Sequence, residues 1–254
     1  MKTILVLSPH LDDAILSCGG WMAQAVEAGG QVTVYNLFCA RYQGPLSPAA
    51  LELHASWGNP ADITALRAAE DQQALSVIGA EGMYSDVRDL IYRQDADGEW
   101  LYPAMNDIMG LRNPLDDALV EHYFEKVTTL FSVEEVEIYA PLGIGGHIDH
   151  LLAFDTGMRL QERGYAVRFY EDLPYALNAD WLEKRLETVS REEAQVKLFS
   201  LENLEKKLKA LGAYASQIPS LFGDESKMRE SLTAQAVRMS GRMVMGGEKV
   251  WRIE

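Results

Sequence analysis

The chain has 254 residues, a length that suits one α/β domain of ordinary size. Hydrophobic residues make up 48% and charged residues 24%, and a formal charge of −15 argues against nucleic acid or an anionic membrane as partner, since both call for a basic face. Its two cysteines, Cys18 and Cys39, imply no disulfide framework, and no apolar run approaches the ~20 residues of a membrane helix.

Residues Ile4 to Ser8 form a short apolar and β-branched run, read as a buried parallel strand. The polar "SPHLDD" cuts that run too early for a signal-peptide core, and with both cysteines in or beside apolar runs a cytoplasmic, reducing location is expected. From Ala14 to Glu27 the apolar spacing is helical, with "AGG" as the stop, and "QVTVYNLFCA" at 31–40 is a second strand. A βαβ rhythm set within forty residues predicts a Rossmann-like, three-layer α/β domain around a mostly parallel sheet.

Residues 41–60 are punctuated by Pro and Gly and read as a long loop, followed by a helix with Asp62 and Thr64 as caps. A short strand near Met83 and Tyr84 leads into an irregular polar excursion over 87–114, which has the look of a lid. A helix over 115–130 precedes a strand from Val136 to Ala140, the Gly-rich turn "GIGG", a helix to Arg163 and the strand "YAVRFYEDLPY". Beyond these, the spacing predicts a long amphipathic helix from Glu192 to Ala215, and "GRMVMGGEKVWRIE" closes the chain as a small hairpin turning at Gly246-Gly247. No repeat or linker interrupts residues 1–254, which read as a single domain.

Two polar clusters stand out. His10, Asp12 and Asp13 end the first predicted strand; His147, Asp149 and His150 follow a later one. In open parallel sheets the ligand crevice lies beyond the C-terminal ends of the strands, so the topology can bring both loops to one rim. Two imidazoles and one carboxylate are the donor set of a catalytic metal, which lowers the pKa of bound water to about 7. The remaining carboxylate and histidine suit a general base and an oxyanion donor. The same aspartates also precede a helix, where carboxylates favour the dipole, so capping is the competing reading.

At this point the sequence resembles the PIG-L/LmbE-like zinc-dependent N-deacetylases. "SPHLDDA" at 8–14 is similar to their Ala-His-Pro-Asp-Asp-Glu signature, "HIDH" at 147–150 to their second signature, and "RAAEDQQALSVIGA" at 67–80 to their Arg-x-x-Glu helix. The resemblance implies His10, Asp13 and His150 as metal ligands and Asp12 as general base. It further implies His147 as the oxyanion partner, with Asp149 orienting His147 by a hydrogen bond and raising its pKa. The implied reaction is hydrolysis of an N-acetyl amide, on a glucosamine-like sugar or a sugar-bearing metabolite, with Zn2+ as cofactor. Ferrous iron suits the same ligands. Two positions depart from the signature: Leu11 replaces its proline and Ala14 its glutamate, so Ala14 is the expected origin of any difference in substrate.

Arg41, Arg67 and Asp172 are the candidate substrate contacts, because each falls near the predicted rim; Tyr214 and Gln217 are weaker ones, while His54 and His122 read as surface or core residues. The expected partner is a small N-acetylated molecule, and a homo-oligomer is left open. A deacylase of non-sugar amines is the alternative hydrolase. A non-catalytic nucleotide- or metal-binding Rossmann-like protein is the alternative class, although "SPHLDD" lacks the glycines of a dinucleotide-binding turn and the second strand ends in "FCAR" rather than an acidic residue.

Overall fold

A computed structural model describes residues 2–254. Its centre is a seven-stranded sheet in the order β3-β2-β1-β4-β5-β7-β6. The strands β1 (Thr3–Ser8), β2 (Val32–Phe38), β3 (Glu81–Val87), β4 (Val136–Pro141) and β5 (Ala166–Tyr170) are mutually parallel. β2 is buried at every residue, as a continuous apolar run in a parallel sheet should be. Helices cover both faces. On one, α1 (Asp13–Glu27), α3 (Ile63–Ile78) and α7 (Leu201–Leu211) pack together; elsewhere α4 (Ala118–Leu130) packs with α5 (Ile148–Glu162), which lies against β4 and β5. No helix among the described residues is long and apolar enough to cross a membrane.

The expected three-layer, mostly parallel architecture is therefore present. Three local expectations are corrected. First, the loop over 41–60 contains the helix α2 (Pro48–Ser56), started by the Ser47 side chain accepting from the Ala50 N–H, with Pro48 at a position where its missing donor costs nothing. Second, the long helix expected from Glu192 is divided. Residues Arg191–Ser200 are the edge strand β6, and only at Ser200, whose hydroxyl caps the Asn203 N–H, does α7 begin. Pairing with a neighbouring strand overrides the helical propensity of "REEAQVK".

Third, Gly246 and Gly247 make no turn. They lie inside β7 (Met245–Ile253), which is antiparallel to β6 on one side and to β5 on the other. The closing antiparallel pair exists, but its two strands are separated by α7, α8 (Ile218–Phe222) and α9 (Glu225–Ser240). The glycines have a packing reason. The buried Phe199 ring lies against Gly246 of β7 and Gly20 of α1, and a Cβ at either position would overlap it. Gly246→Ala should therefore destabilise the protein by about 1–3 kcal/mol in urea unfolding. An unchanged midpoint would mean that Phe199 moves aside freely.

Candidate metal centre and substrate cavity

β1 and β4 are neighbours, with Leu5 opposite Ile138, although most of the first half of the chain lies between them. The chain runs outward from β1 through β2 to β3, then returns to start β4 on β1's other side. This is the switch point at which an open parallel sheet leaves a crevice. The turn after β1 supplies His10, Asp12 and Asp13; the turn after β4 supplies His147, Asp149 and His150. Gly143, Gly145 and Gly146 all have positive φ, near +80°, which brings the second turn around tightly enough to open α5 at Ile148.

The two clusters meet. Asp13 Oδ2 lies 3.2 Å from His10 Nδ1 and 3.3 Å from His150 Nε2, and the three imidazole rings have centroids 4.8 to 5.5 Å apart. Donor atoms of His10, Asp13 and His150 lie within 4.8 Å of one another, as do those of His10, His147 and Asp149. Helix capping is not what occupies the aspartates: Asp12 makes no side-chain cap, Asp13 accepts from the His10 N–H at 2.8 Å, and Ser8 receives the Ala14 N–H.

His150 is fully buried. Its Nδ1 is 2.7 Å from Asp172 Oδ1, and Asp172 Oδ2 accepts from the N–H groups of Gly143 and Ile144. Donation from Nδ1 turns Nε2, a buried nitrogen with no well-aligned hydrogen bond, toward Asp13 Oδ2 at 3.3 Å. Burial alone would lower the pKa of His150, but Asp13 and Asp172 outweigh it and raise it to about 9. Asp13 shows the reverse: burial opposes its charge, and His150 and His10 hold it well below the usual carboxylate range. The orphaned Nε2, the Asp172 contact that fixes the ring and the adjacent carboxylate fit a divalent cation, which would take over the charge that protonated imidazoles otherwise supply.

Asp12 stays apart from this triad. Its carboxylate lies 3.4 Å from Arg67, and burial raises its pKa while Arg67 opposes the rise. His147 accepts from the Asp149 backbone N–H through Nδ1, at 3.2 Å. Burial, then the neighbouring His10 and His150, push its pKa well below the ordinary value. The hydrogen bond expected from the Asp149 carboxylate to His147 is not made, although its charge does act to raise the His147 pKa through space. That carboxylate instead receives Arg93 at 2.5 Å, the Leu90 N–H at 3.2 Å and His10 Nε2 at 3.2 Å. The lowered pKa of His147 favours the neutral ring, and with Nδ1 accepting, its proton belongs on Nε2.

His10, Asp12, Asp13 and His147 face a cavity of about 260 Å³. Its polar wall includes Asp12, Arg67, Asp89, His147 and Gln217, and its apolar wall includes Trp57, Leu53, Met105 and Leu221. Of the three predicted substrate contacts, only Arg67 lines it. Arg41 is exposed and paired with Asp62 at 2.6 Å, because Asp62 is anchored as the N-cap of α3. Asp172 is spent behind His150. Ala14 is completely buried and absent from the cavity wall, so the departure from the signature does not touch a substrate there.

Sequence reasoning missed Asp89, which lies 3.8 Å from His10 and 3.9 Å from Arg67, and the buried Arg93, which bridges Asp149 and Asp116. Both come from the segment read as a lid. That segment is pinned to the site instead: the Ile148 N–H donates to the Ile108 carbonyl, and Met109 forms a β-bridge with His147. Only the Asp-x-x-x-Arg pattern around an apolar "LIY" hinted at it, and such patterns are common.

The comparisons with known proteins agree with this geometry. The family model "PIG-L: GlcNAc-PI de-N-acetylase" matches residues 5–160, and the chain belongs to that family. It is 26% identical to 2'-N-acetylparomamine deacetylase of Niallia circulans over 90% of this chain and 85% of that one. It is 28% identical to the 2'-N-acetylparomamine deacetylase of Streptomyces fradiae, covering 97% and 82%. Among solved structures, the zinc-inhibited form of teicoplanin deacetylase Orf2 superposes with a TM-score of 0.86 at 29% identity, over 100% of this chain and 98% of that one.

Proposed function

We propose that the protein is a metal-dependent N-deacetylase that releases acetate from an N-acetylated amino sugar or a metabolite bearing one. The observation that carries this reading is the buried Nε2 of His150, without a well-aligned hydrogen bond, beside Asp13 and His10, with Asp12 and His147 lining the cavity next to them. The names of the related deacetylases support the sugar-like substrate. His10, Asp13 and His150 would hold the metal, with zinc preferred. A cation in that set supplies Lewis acidity, polarising the amide carbonyl and making water nucleophilic near neutral pH.

Asp12 takes the proton from the attacking water and returns it to the departing amine. Its raised pKa, set by burial against Arg67, brings that exchange closer to neutral pH. His147, neutral with its Nδ1 occupied, donates from Nε2 to the oxyanion. Asp149 pairs with Arg93 and His10 and acts on His147 only through space, its charge opposing the fall of the His147 pKa. Arg67 and Asp89 offer a donor and an acceptor for sugar hydroxyls on the cavity wall.

The test is acetate release from 2'-N-acetylparomamine, N-acetylglucosamine and an N-acetylated non-sugar amine. Acetylated amino sugars should be hydrolysed, a chelator should cut the rate by ~100-fold or more, and near-stoichiometric zinc should restore it. Preference for the non-sugar amine would overturn the substrate assignment. Hydrolysis indifferent to chelation would overturn the metal.

A further inference from the structure

Four successive backbone carbonyls run through the turn that carries His10, Asp12 and Asp13, and each meets a donor. Pro9 accepts from the Phe38 N–H at 3.0 Å, His10 from the Ser8 hydroxyl at 2.5 Å, and Asp12 from the Leu16 N–H at 2.9 Å. These three donors belong to β1, β2 and α1 themselves. The Leu11 carbonyl is held from 203 residues away, by the Tyr214 hydroxyl at 2.9 Å, and that hydroxyl also lies 2.8 Å from Asp71 Oδ1. Tyr214 is 2% exposed and Asp71 0%, so water cannot settle the arrangement.

A phenol carries one proton. Tyr214 cannot donate to both oxygens, and a buried oxygen pair 2.8 Å apart needs a proton between its members. The other carboxyl oxygen, Asp71 Oδ2, accepts from the Tyr84 hydroxyl at 2.7 Å and the Asn36 amide at 3.0 Å. Oδ2 has the surroundings of a carbonyl and Oδ1 those of an acid hydroxyl. We propose that Asp71 is held as a neutral acid that donates from Oδ1 to Tyr214, so that Tyr214 donates its own proton to the Leu11 carbonyl. Asp71 and Tyr214 are then a positioning pair for the His10–Asp13 turn, a role that rests on reading that turn as the metal and base site.

The surroundings of Asp71 favour that neutral form below a pH of about 6. Burial pushes its carboxyl up to about 6, with Asp12 adding to the rise and Tyr84, Tyr214 and Asn36 opposing it. The groups that face it are Tyr84 from β3, Asn36 from β2 and Tyr214 after α7, with Cys39 and Asp12 acting through space. On its own helix the charged neighbours are committed elsewhere, Arg67 to Asp12 and Glu70 to Ser216. As pH rises past that point, an ionised Asp71 draws the Tyr214 proton to itself and the Leu11 carbonyl loses its donor.

Asp71→Asn and Tyr214→Phe test the pair. An asparagine reproduces the neutral acid, its amide nitrogen donating to Tyr214 and its oxygen accepting from Tyr84 and Asn36. Tyr214→Phe should weaken zinc ~10-fold in chelator competition at pH 6 with the far-UV CD spectrum unchanged, whereas Asp71→Asn should stay within about 2-fold of the parent. In EDTA the melting temperature offers a second readout. A carboxyl whose folded pKa is raised contributes fully below its ordinary value and loses that contribution as pH rises through the folded one. The Tm of Asp71→Asn minus that of the parent should therefore grow between pH about 4 and about 7. Zinc weakened equally in both variants, or a flat Tm difference, would overturn the proposal. Zinc affinities in the expected order in a protein that releases no acetate would uphold the pair and overturn the deacetylase reading.

Discussion

Asp12→Ala should bind zinc as the parent does yet turn over ~10²–10⁴-fold more slowly, the usual worth of a positioned general base. His150→Ala should lose zinc and activity together. The contrast follows from where the two side chains stand. His150 points Nε2 at Asp13 from a fully buried position fixed by Asp172, and alanine removes one of the three donors of the His10–Asp13–His150 set. Asp12 lines the cavity with Arg67 as its one ion-pair partner and no contact to His150 or His10 within ion-pair distance. Its removal frees Arg67 and takes nothing from the triad. Metal content by mass spectrometry beside kcat separates the two effects. An Asp12→Ala protein that arrives without zinc would move Asp12 into the ligand set, and one that keeps full kcat would remove it from the chemistry.

Much of this site was legible because its parts are local. His10, Asp12 and Asp13 fall within four residues at the end of an apolar strand, and so do His147, Asp149 and His150. A parallel sheet aligns strand ends, so two such turns on neighbouring strands must meet. What stayed hidden is set by distance along the chain. Nothing local marks Arg93 as the counter-charge of Asp149, or Tyr214 as the donor to the Leu11 carbonyl, since both depend on how remote segments fold over the rim. Arg41 and Asp172 were misplaced for a related reason. Position near a strand end predicts the rim but not which way a side chain turns, and each found a partner that withdraws it from the cavity. β6 and β7 erred by the same route, because a ring from one strand lying on a glycine of another has no signature in either segment alone.

Arg93→Met should cost about 3–5 kcal/mol of stability at pH 7, the expected penalty for stripping one partner from a buried ion-pair network. The guanidinium, 7% exposed, meets Asp116 at 2.8 Å and Asp149 at 2.5 Å, so the variant leaves two buried carboxylates to be satisfied by less. The size of the loss should depend on pH, and the sign is fixed by Asp149. Burial alone would raise its pKa, but Arg93 and then His10 outweigh that and hold it well below its ordinary value of 3.8. A depressed folded pKa gives stability that is present above the unfolded value and lost as pH falls through the folded one. Acid therefore erodes the parent more than the variant, whose Asp149 takes up a proton readily once the arginine is gone. The gap between their unfolding free energies should be widest near neutrality and should narrow below pH about 4. Urea titrations across that range measure it directly. A gap under about 1 kcal/mol at pH 7 would place Arg93 among ordinary surface pairs. A gap independent of pH would mean that packing of the side chain over Phe38, rather than the charge of Asp149, is what the arginine contributes.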